Sequence, residues 1–368
     1  MFDFHSSKTE DILVSDITLV IGLRAHEGNP WVLERLRDLN SYYDPQPQIL
    51  VIDYGSQGSF KNTVENVCRE FNYKYIHIPE YTVYSASQVH NAALLNVETD
   101  FIFFMDIDFI GVRSLFSDIS RLATSASMRK YFDIVLNLPA YHLSEKETEF
   151  IYQADNALQT SKHLERIGFM SQSREYGDMI EFIAPYSNIF LISKKFFDLS
   201  GGYHTAFKGH GSEDFEYISR IAMYSGVFQV PVDLKTDIYG PSKIDFHYVK
   251  HYRGFRTLNQ MMASRSERSG LKIFHRWHPT AVEGSWRVDN DWKRERLHSV
   301  FDTYLEKREG LLAIDFHRRK KQAVCICKHK DHWGYFVPLR LHGYEILPIF
   351  QDDQDSINNL NKIIQDKS

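Results

Sequence analysis

Phe101-Ile102-Phe103-Phe104-Met105-Asp106-Ile107-Asp108 places two carboxylates, one residue apart, directly behind an apolar aromatic run. Such a run reads as a buried strand, with Asp106 and Asp108 at its carboxyl end. Upstream, Ser87 to Leu95 reads as a helix, Tyr75 to Ile78 as a short strand and Phe60 to Phe71 as another helix. Ile49 to Ile52 is a second apolar strand, set off by Pro45 and Pro47, and it leads into Asp53-Tyr54-Gly55-Ser56. Before it, Val32, Leu33, Leu36 and Leu39 recur at helical spacing within Trp31 to Leu39. The first strand lies in Asp16 to Gly22 and ends in the polar loop Arg24 to Pro30. This β-α-β-α-β-α-β order predicts an α/β fold, Rossmann-like, with a mostly parallel sheet and helices on both faces. Ligands of such sheets bind at the carboxyl ends of the strands, where Asp53, Asp106 and Asp108 all fall. No GxGxxG or GxxxxGK[ST] loop follows any of these strands, so the usual backbone phosphate cradles are missing.

Downstream the pattern is less regular. Residues 112 to 200 contain helical and strand-like pieces around a polar stretch, Gln153 to Gly177, whose period is not readable. A strand at Asn188 to Ile192 leads through Gly201-Gly202-Tyr203 to Gly209-His210-Gly211-Ser212-Glu213-Asp214-Phe215-Glu216 and a helix from Tyr217 to Tyr224. From Lys243 to His278 eight Lys or Arg stand against Asp245 and Glu267, a local basic excess suited to an anionic ligand. Beyond it, a helix at Leu297 to Glu309 and strands at Ala323 to Cys327 and Gly334 to Leu339 precede a polar tail.

Composition narrows the classes. With 43% hydrophobic and 25% charged residues the chain is an ordinary globular one, neither disordered nor collagen-like. A net charge of −5 argues against wholesale nucleic-acid binding, which needs a basic surface. The aromatic share of 14% suits ring or sugar stacking and equally a bulky core. Three cysteines, Cys68, Cys325 and Cys327, make no disulfide framework and point to a reducing compartment. Met1 to Ser15 has no signal-like apolar run, and nothing reaches the roughly 20 apolar residues of a membrane span. The expected location is cytoplasmic. Arg318-Arg319-Lys320-Lys321 leaves room for peripheral contact with anionic lipid at the inner face of the cell membrane.

The residues with chemistry fall into a few groups. Asp106 and Asp108 suit a hard divalent cation such as Mg²⁺ or Mn²⁺, which would neutralise a diphosphate; a plain acidic loop pair is the bland alternative. Asp53 can accept from a base N–H or from ribose hydroxyls, or serve its own turn. Glu213 and Asp214 open a helix, where a carboxylate can take a proton from a hydroxyl or merely favour the helix N-terminus. Phe274-His275-Arg276-Trp277-His278-Pro279 offers two imidazoles for a metal and Arg276 for a phosphate, and His247 with His251 forms a second pair.

Taken in order, these motifs resemble the nucleotide-sugar glycosyltransferases of the GT-A fold, in particular the family 2-like enzymes of bacterial capsule and surface-polysaccharide synthesis. The resemblance rests on Ile21-Gly22-Leu23-Arg24, Ile52-Asp53-Tyr54-Gly55-Ser56, Ser85-Ala86-Ser87-Gln88-Val89-His90-Asn91, Asp106-Ile107-Asp108, Phe207 to Glu216, and His275 to Pro279. It implies a GT-A catalytic domain over residues 1–290 and a C-terminal α/β extension over 291–368. It further implies that Arg24, Asp53, Ser85, Asn91, Asp106 and Arg276 serve the donor and that Asp108 holds Mn²⁺ or Mg²⁺, with Asp106 at the ribose or the metal and His275 or His278 completing the metal site. Asp214, with Glu213 beside it, would be the base of an inverting transfer from a nucleotide sugar, UDP-linked, to a saccharide or polysaccharide acceptor. His210 stands where such enzymes carry a Trp against the acceptor, so the acceptor is the less constrained partner. A sugar-binding scaffold on a decayed transferase fold and a metal-dependent nucleotidyltransferase are the competing readings.

Overall fold

A computed structural model describes residues 10–172, 177–184, 187–209, 211–224, 233, 235–236, 253–279, 291–309, 311–317, 322–327, 345–350, 354–355 and 358. Strands β1 (Ile17–Leu23), β2 (Gln48–Tyr54), β3 (Lys74–Ile78) and β4 (Phe101–Asp106) run parallel in the order β3-β2-β1-β4. Helices α1 (Trp31–Asp38), α2 (Gly58–Glu70) and α3 (Ala86–Asn96) connect them, as the alternation predicts. Beyond β4 the sheet continues antiparallel through β9 (Phe190–Ser193) and then β6 (Leu136–Asn137).

Strand alternation divides the interior in two. Leu19, Ile21, Phe101, Phe103 and Met105 face a core shared with Val32 and Leu36 of α1, Val64 of α2 and Phe116 of α4 (Leu115–Ser125). Val20, Leu50, Ile52, Ile102 and Phe104 face the other, with Val89 of α3, Phe196 and Phe197 of α7 (Lys194–Leu199) and Tyr217 of α8 (Glu213–Tyr224). Successive side chains of a strand point to opposite faces, so a run apolar at every position must be covered twice. The same second core takes Leu258 of α9 (Phe255–Arg268) and Leu297 and Phe301 of α10 (Asp291–Glu309). Helix α10 starts at the boundary expected after residue 290, yet its apolar side chains belong to this core.

The irregular middle resolves into β5 (Phe109–Ile110), β7 (Ala140–Leu143), α5 (Glu145–Tyr152), α6 (Ala157–Gln172) and β8 (Ile180–Ala184). Most of the polar stretch from Gln153 is α6. Thr160, Ser161 and His163 are buried there beside Leu164 and Ile167, so polar residues occupy the inward face and hide its helical period. Strands β5, β10 (Ile273–His275), β7 and β8 make a second sheet in the order β5-β10-β7-β8. Strands β11 (Leu311–His317), β12 (Gln322–Cys327) and β13 (Glu345–Phe350) make a third, of which only β12 is legible in the sequence. The expected strand at Gly334 to Leu339, the Arg318 to Lys321 cluster, His210, His247 and His251 lie outside the described residues. Among the described residues no helix is long and apolar enough to cross a membrane.

The carboxyl edge of the parallel sheet is tied down by polar latches. Arg24, just past β1, donates to three carbonyls: Tyr54 O at 2.6 Å, Thr82 O at 2.8 Å and Glu80 O at 2.9 Å. Gly55 makes this approach possible, with φ of +88° and a position where a Cβ would fall 2.1 Å from Glu80 O. Asn91 reads both backbone groups of Tyr203, accepting from its N–H at 2.7 Å and donating to its carbonyl at 2.9 Å.

Behind Asn91, His90 is buried against the rings of Phe104 and Tyr203, and burial pushes its pKa down to about 3. The folded ring stays neutral while the unfolded one gains a proton below its usual pKa of 6.5, so this residue's stability contribution is full well above that pH and is lost on acidification. Between about pH 6.5 and about pH 5, the wild type should lose about 2 kcal/mol more than His90→Asn does, measured by urea unfolding at both pH values.

Candidate active site

Two strand pairings bring the central cluster together. Asp108 immediately precedes β5, which pairs antiparallel with β10 so that Phe109 stands opposite His275. The Arg276 N–H donates to the Asp108 carbonyl at 2.8 Å, carrying the pairing one residue further. Donor atoms of Asp108, His275 and His278 consequently lie within 4.8 Å of one another, and His278 Nε2 is 3.5 Å from Asp108 Oδ2. On its other side β10 pairs parallel with β7, setting His142 beside His275 with the rings stacked at 4.5 Å.

Burial, with His278, Arg35 and Arg276 nearby, pushes His275 down to about 3, so its ring is neutral and its nitrogen lone pair is available. Burial and the same pair of imidazoles push His142 down to about 2. One carboxylate and two imidazoles in reach of one point suit a divalent cation of intermediate hardness. Imidazole favours Mn²⁺ over Mg²⁺, which prefers oxygen throughout. The donor set therefore fits the expected metal, and Asp106 stands outside it.

Asp106 closes β4 and accepts from Asn188 Nδ2 at 2.9 Å. Burial, then the charges of Asp108 and Asp214, raise its pKa to about 6 even with that hydrogen bond. Asp106 is thus electrostatically coupled to both the Asp108 cluster and the acidic start of α8. That helix opens at Glu213, as the acidic pair suggests, with Glu213, Asp214 and Glu216 in its first turn. Ser212 precedes it with φ of +77°, an uncommon backbone state for a residue with a Cβ. Asp214 Oδ1 accepts from the Phe215 N–H at 2.9 Å. Among the described residues Glu213 Oε2 is buried without a hydrogen-bond partner, and burial followed by Asp214 raises this carboxyl, against the pull of Lys293. Lys293, on α10, is itself fully buried. Glu216 is turned away into a buried ion pair with Arg220, whose Nη2 also donates to Gly202 O at 2.6 Å.

The remaining expected residues sit at the carboxyl edge as supports. Asp53 is buried, accepting from the Ser56 N–H at 3.0 Å and from the Tyr75 hydroxyl at 2.9 Å. Ser85 caps α3, accepting from the Gln88 N–H at 3.3 Å and donating to Phe207 O at 3.3 Å. Arg24 and Asn91 make the latches already described. Arg276 is buried, its Nη1 on Asp38 at 2.9 Å and its Nη2 on Ile107 O at 2.9 Å, so it braces the Asp106 to Asp108 turn from within.

Residues 18–303 match the family model described as glycosyltransferase like family 2. The protein belongs to this family. Its largely parallel central sheet with helices around it is the α/β fold expected. Among solved structures, the chain is similar to TarS of S. aureus at 12% identity and TM-score 0.36, over 56% of its own chain and 33% of the other. It is similar to the mannosyltransferase PcManGT from Pyrobaculum calidifontis, in complex with GDP-Man and Mn²⁺, at 12% identity and TM-score 0.35, over 57% and 52% of the two chains. TarS 1–349 in complex with UDP-GlcNAc aligns at 11% identity and TM-score 0.36, over 56% and 53%. The alignments thus span from a third to about half of those chains. No curated protein sequence is similar enough to match.

Several residues of this candidate site carry no assignment from the sequence: Arg35, Trp31, His142, Asn188 and Lys293. Arg35 had a usable signal. It falls with Val32, Leu36 and Leu39 at helical spacing, on the apolar face of α1, where a charge implies a buried partner. His142 and Lys293 are placed by strand register and helix packing alone. In titrations with UDP present, Asp108→Ala and His275→Ala should each weaken Mn²⁺ binding at least about tenfold, followed by the loss of free Mn²⁺ resonance signal. Unchanged affinity in both variants would remove them from the donor set.

Proposed function

We propose that this glycosyltransferase is metal-dependent and inverting, moving a sugar from a nucleoside-diphosphate sugar, UDP-linked, to a hydroxyl of a saccharide acceptor in surface-polysaccharide synthesis. The carrying observation is the Asp108, His275 and His278 donor set at the same strand edge as the Glu213-Asp214 helix start. Asp106 couples electrostatically to both. Asp108, His275 and His278 would hold Mn²⁺ or Mg²⁺, whose charge offsets that of the departing diphosphate.

The division of labour in the acidic pair follows from burial. Burial and the adjacent Asp214 raise the Glu213 carboxyl, and Asp214, beside it in the first turn of α8, is the base. In one displacement the acceptor oxygen bonds to the anomeric carbon, the bond from that carbon to the diphosphate oxygen breaks, and the hydroxyl proton passes to Asp214. Attack from the face opposite the leaving group inverts the configuration. Arg24 and Asp53 shape the nucleotide side, with Asp106 at the ribose or the cation. The catalytic unit extends through α10, whose Lys293 interacts electrostatically with the Glu213 and Asp214 carboxyls. A cytoplasmic enzyme working at the inner membrane face fits a reaction that consumes nucleotide sugars.

Incubation with a panel of nucleotide sugars and Mn²⁺ tests the reaction type. Release of nucleoside diphosphate is expected; release of pyrophosphate would indicate nucleotidyl transfer, and release of neither would favour a binding protein. Asp214→Asn should cut transfer by at least about 10²-fold while calorimetry shows donor affinity largely kept. Near-normal turnover in that variant would remove Asp214 as the base.

A further inference from the structure

Arg35 is 1% exposed, and its guanidinium engages three groups of the metal-site region. Nη1 is ion-paired with Asp108 Oδ1, Nη2 donates to Trp277 O at 2.7 Å, and Nε donates to the Tyr152 hydroxyl at 2.8 Å. The guanidinium lies 5.9 Å from the Trp31 ring centroid, and Trp31 in turn stacks on His278 at 5.1 Å with 17° between the planes. One side chain from α1 therefore touches Asp108 directly, the peptide between His275 and His278 through Trp277, and His278 through Trp31. Helix α5 closes the far side, its Thr148 hydroxyl accepting from the Trp277 N–H at 2.8 Å.

The same contact sets the charge of the donor group. Asp108 is the one carboxylate in it, and the Arg35 guanidinium cancels that charge while occupying Oδ1. Oδ2 is the oxygen left toward His278. A divalent cation approaching from water meets two imidazoles, a carboxylate already paired, and a fixed positive charge close behind. Hard cations gain most from anionic oxygens, so this set holds one weakly until more such oxygens arrive. A nucleoside diphosphate carries them.

We infer that Arg35 is a positioning residue: it holds Asp108 by one oxygen and offsets its charge, so that the divalent cation and the donor diphosphate bind together. The inference rests on the proposed Asp108, His275 and His278 metal site. It distinguishes shape from charge. Arg35→Lys keeps the charge and loses the planar fork, whereas Arg35→Gln removes the charge and keeps hydrogen-bonding capacity.

The test is Mn²⁺ titration of the full chain, read by electron paramagnetic resonance, with and without UDP. Wild type should bind Mn²⁺ at least about tenfold tighter when UDP is present, and Mn²⁺ should tighten UDP by the same factor. Without UDP, Arg35→Gln should bind Mn²⁺ about tenfold tighter than wild type, and Arg35→Lys should stay near wild type. Simple structural damage would weaken Mn²⁺ binding, the opposite sign. Equal wild-type affinity with and without UDP overturns the inference and needs no variant; so does unchanged or weaker binding in Arg35→Gln beside a wild type that binds. No Mn²⁺ binding by wild type even with UDP overturns the metal site itself, and this inference with it.

Discussion

The pairing of Phe109 with His275 is the constraint on which the site depends. Asp108 precedes Phe109 by one residue, so the register that sets Phe109 opposite His275 also sets the carboxylate beside the imidazoles. A slip of one residue would turn every side chain of β10 to the opposite face of the sheet. The Arg276 N–H on Asp108 O and the buried Arg276 side chain on Ile107 O and Asp38 oppose such a slip from both backbone and side chain.

Around that pairing the molecule separates rigidity from chemistry. The parallel strands are apolar on both faces and stiffened by two cores, and the polar groups are confined to their carboxyl edge. There, side-chain to backbone hydrogen bonds hold the loops together. Arg24 joins the ends of β1 and β2 to the segment before α3, and Asn91 fixes the chain at Tyr203 upstream of Glu213. Each latch satisfies backbone groups that would be costly to bury unpaired. Helix α10 adds Lys293 from a distant part of the chain, anchored by Leu297 and Phe301 in the core that also holds Tyr217 of α8.

Electrostatics then assigns roles to similar groups. Asp106, Asp108, Glu213 and Asp214 are four carboxyls in one region, yet each meets a different neighbour: Asn188, Arg35, no hydrogen-bond donor at Oε2, and the Phe215 N–H. Desolvation, then the adjacent Asp214, raises the Glu213 carboxyl. His275 is kept neutral by the same desolvation, the state a metal ligand requires.

The sequence by itself determined the parallel half of the sheet, because a strand buried on both faces must be apolar at every position and its end is marked by the first charge. The acidic helix start at Glu213-Asp214 was readable as a candidate for the same reason, charges beside an apolar run, whereas the grouping of Asp106 and Asp108 with His275 or His278 followed only from the family resemblance. Helix α6 was not readable, since Thr160, Ser161 and His163 lie on its buried face and erase the period. Only the tertiary structure decided which polar residues face the cleft and which brace it. Arg24, Asn91 and Arg276 share the letters of phosphate and sugar ligands, and their side chains bind backbone and, for Arg276, the exposed Asp38 carboxylate. The short-range pattern encodes where a strand ends. It does not encode which distant carbonyl or carboxylate will meet a given guanidinium, as Arg35 meets Asp108.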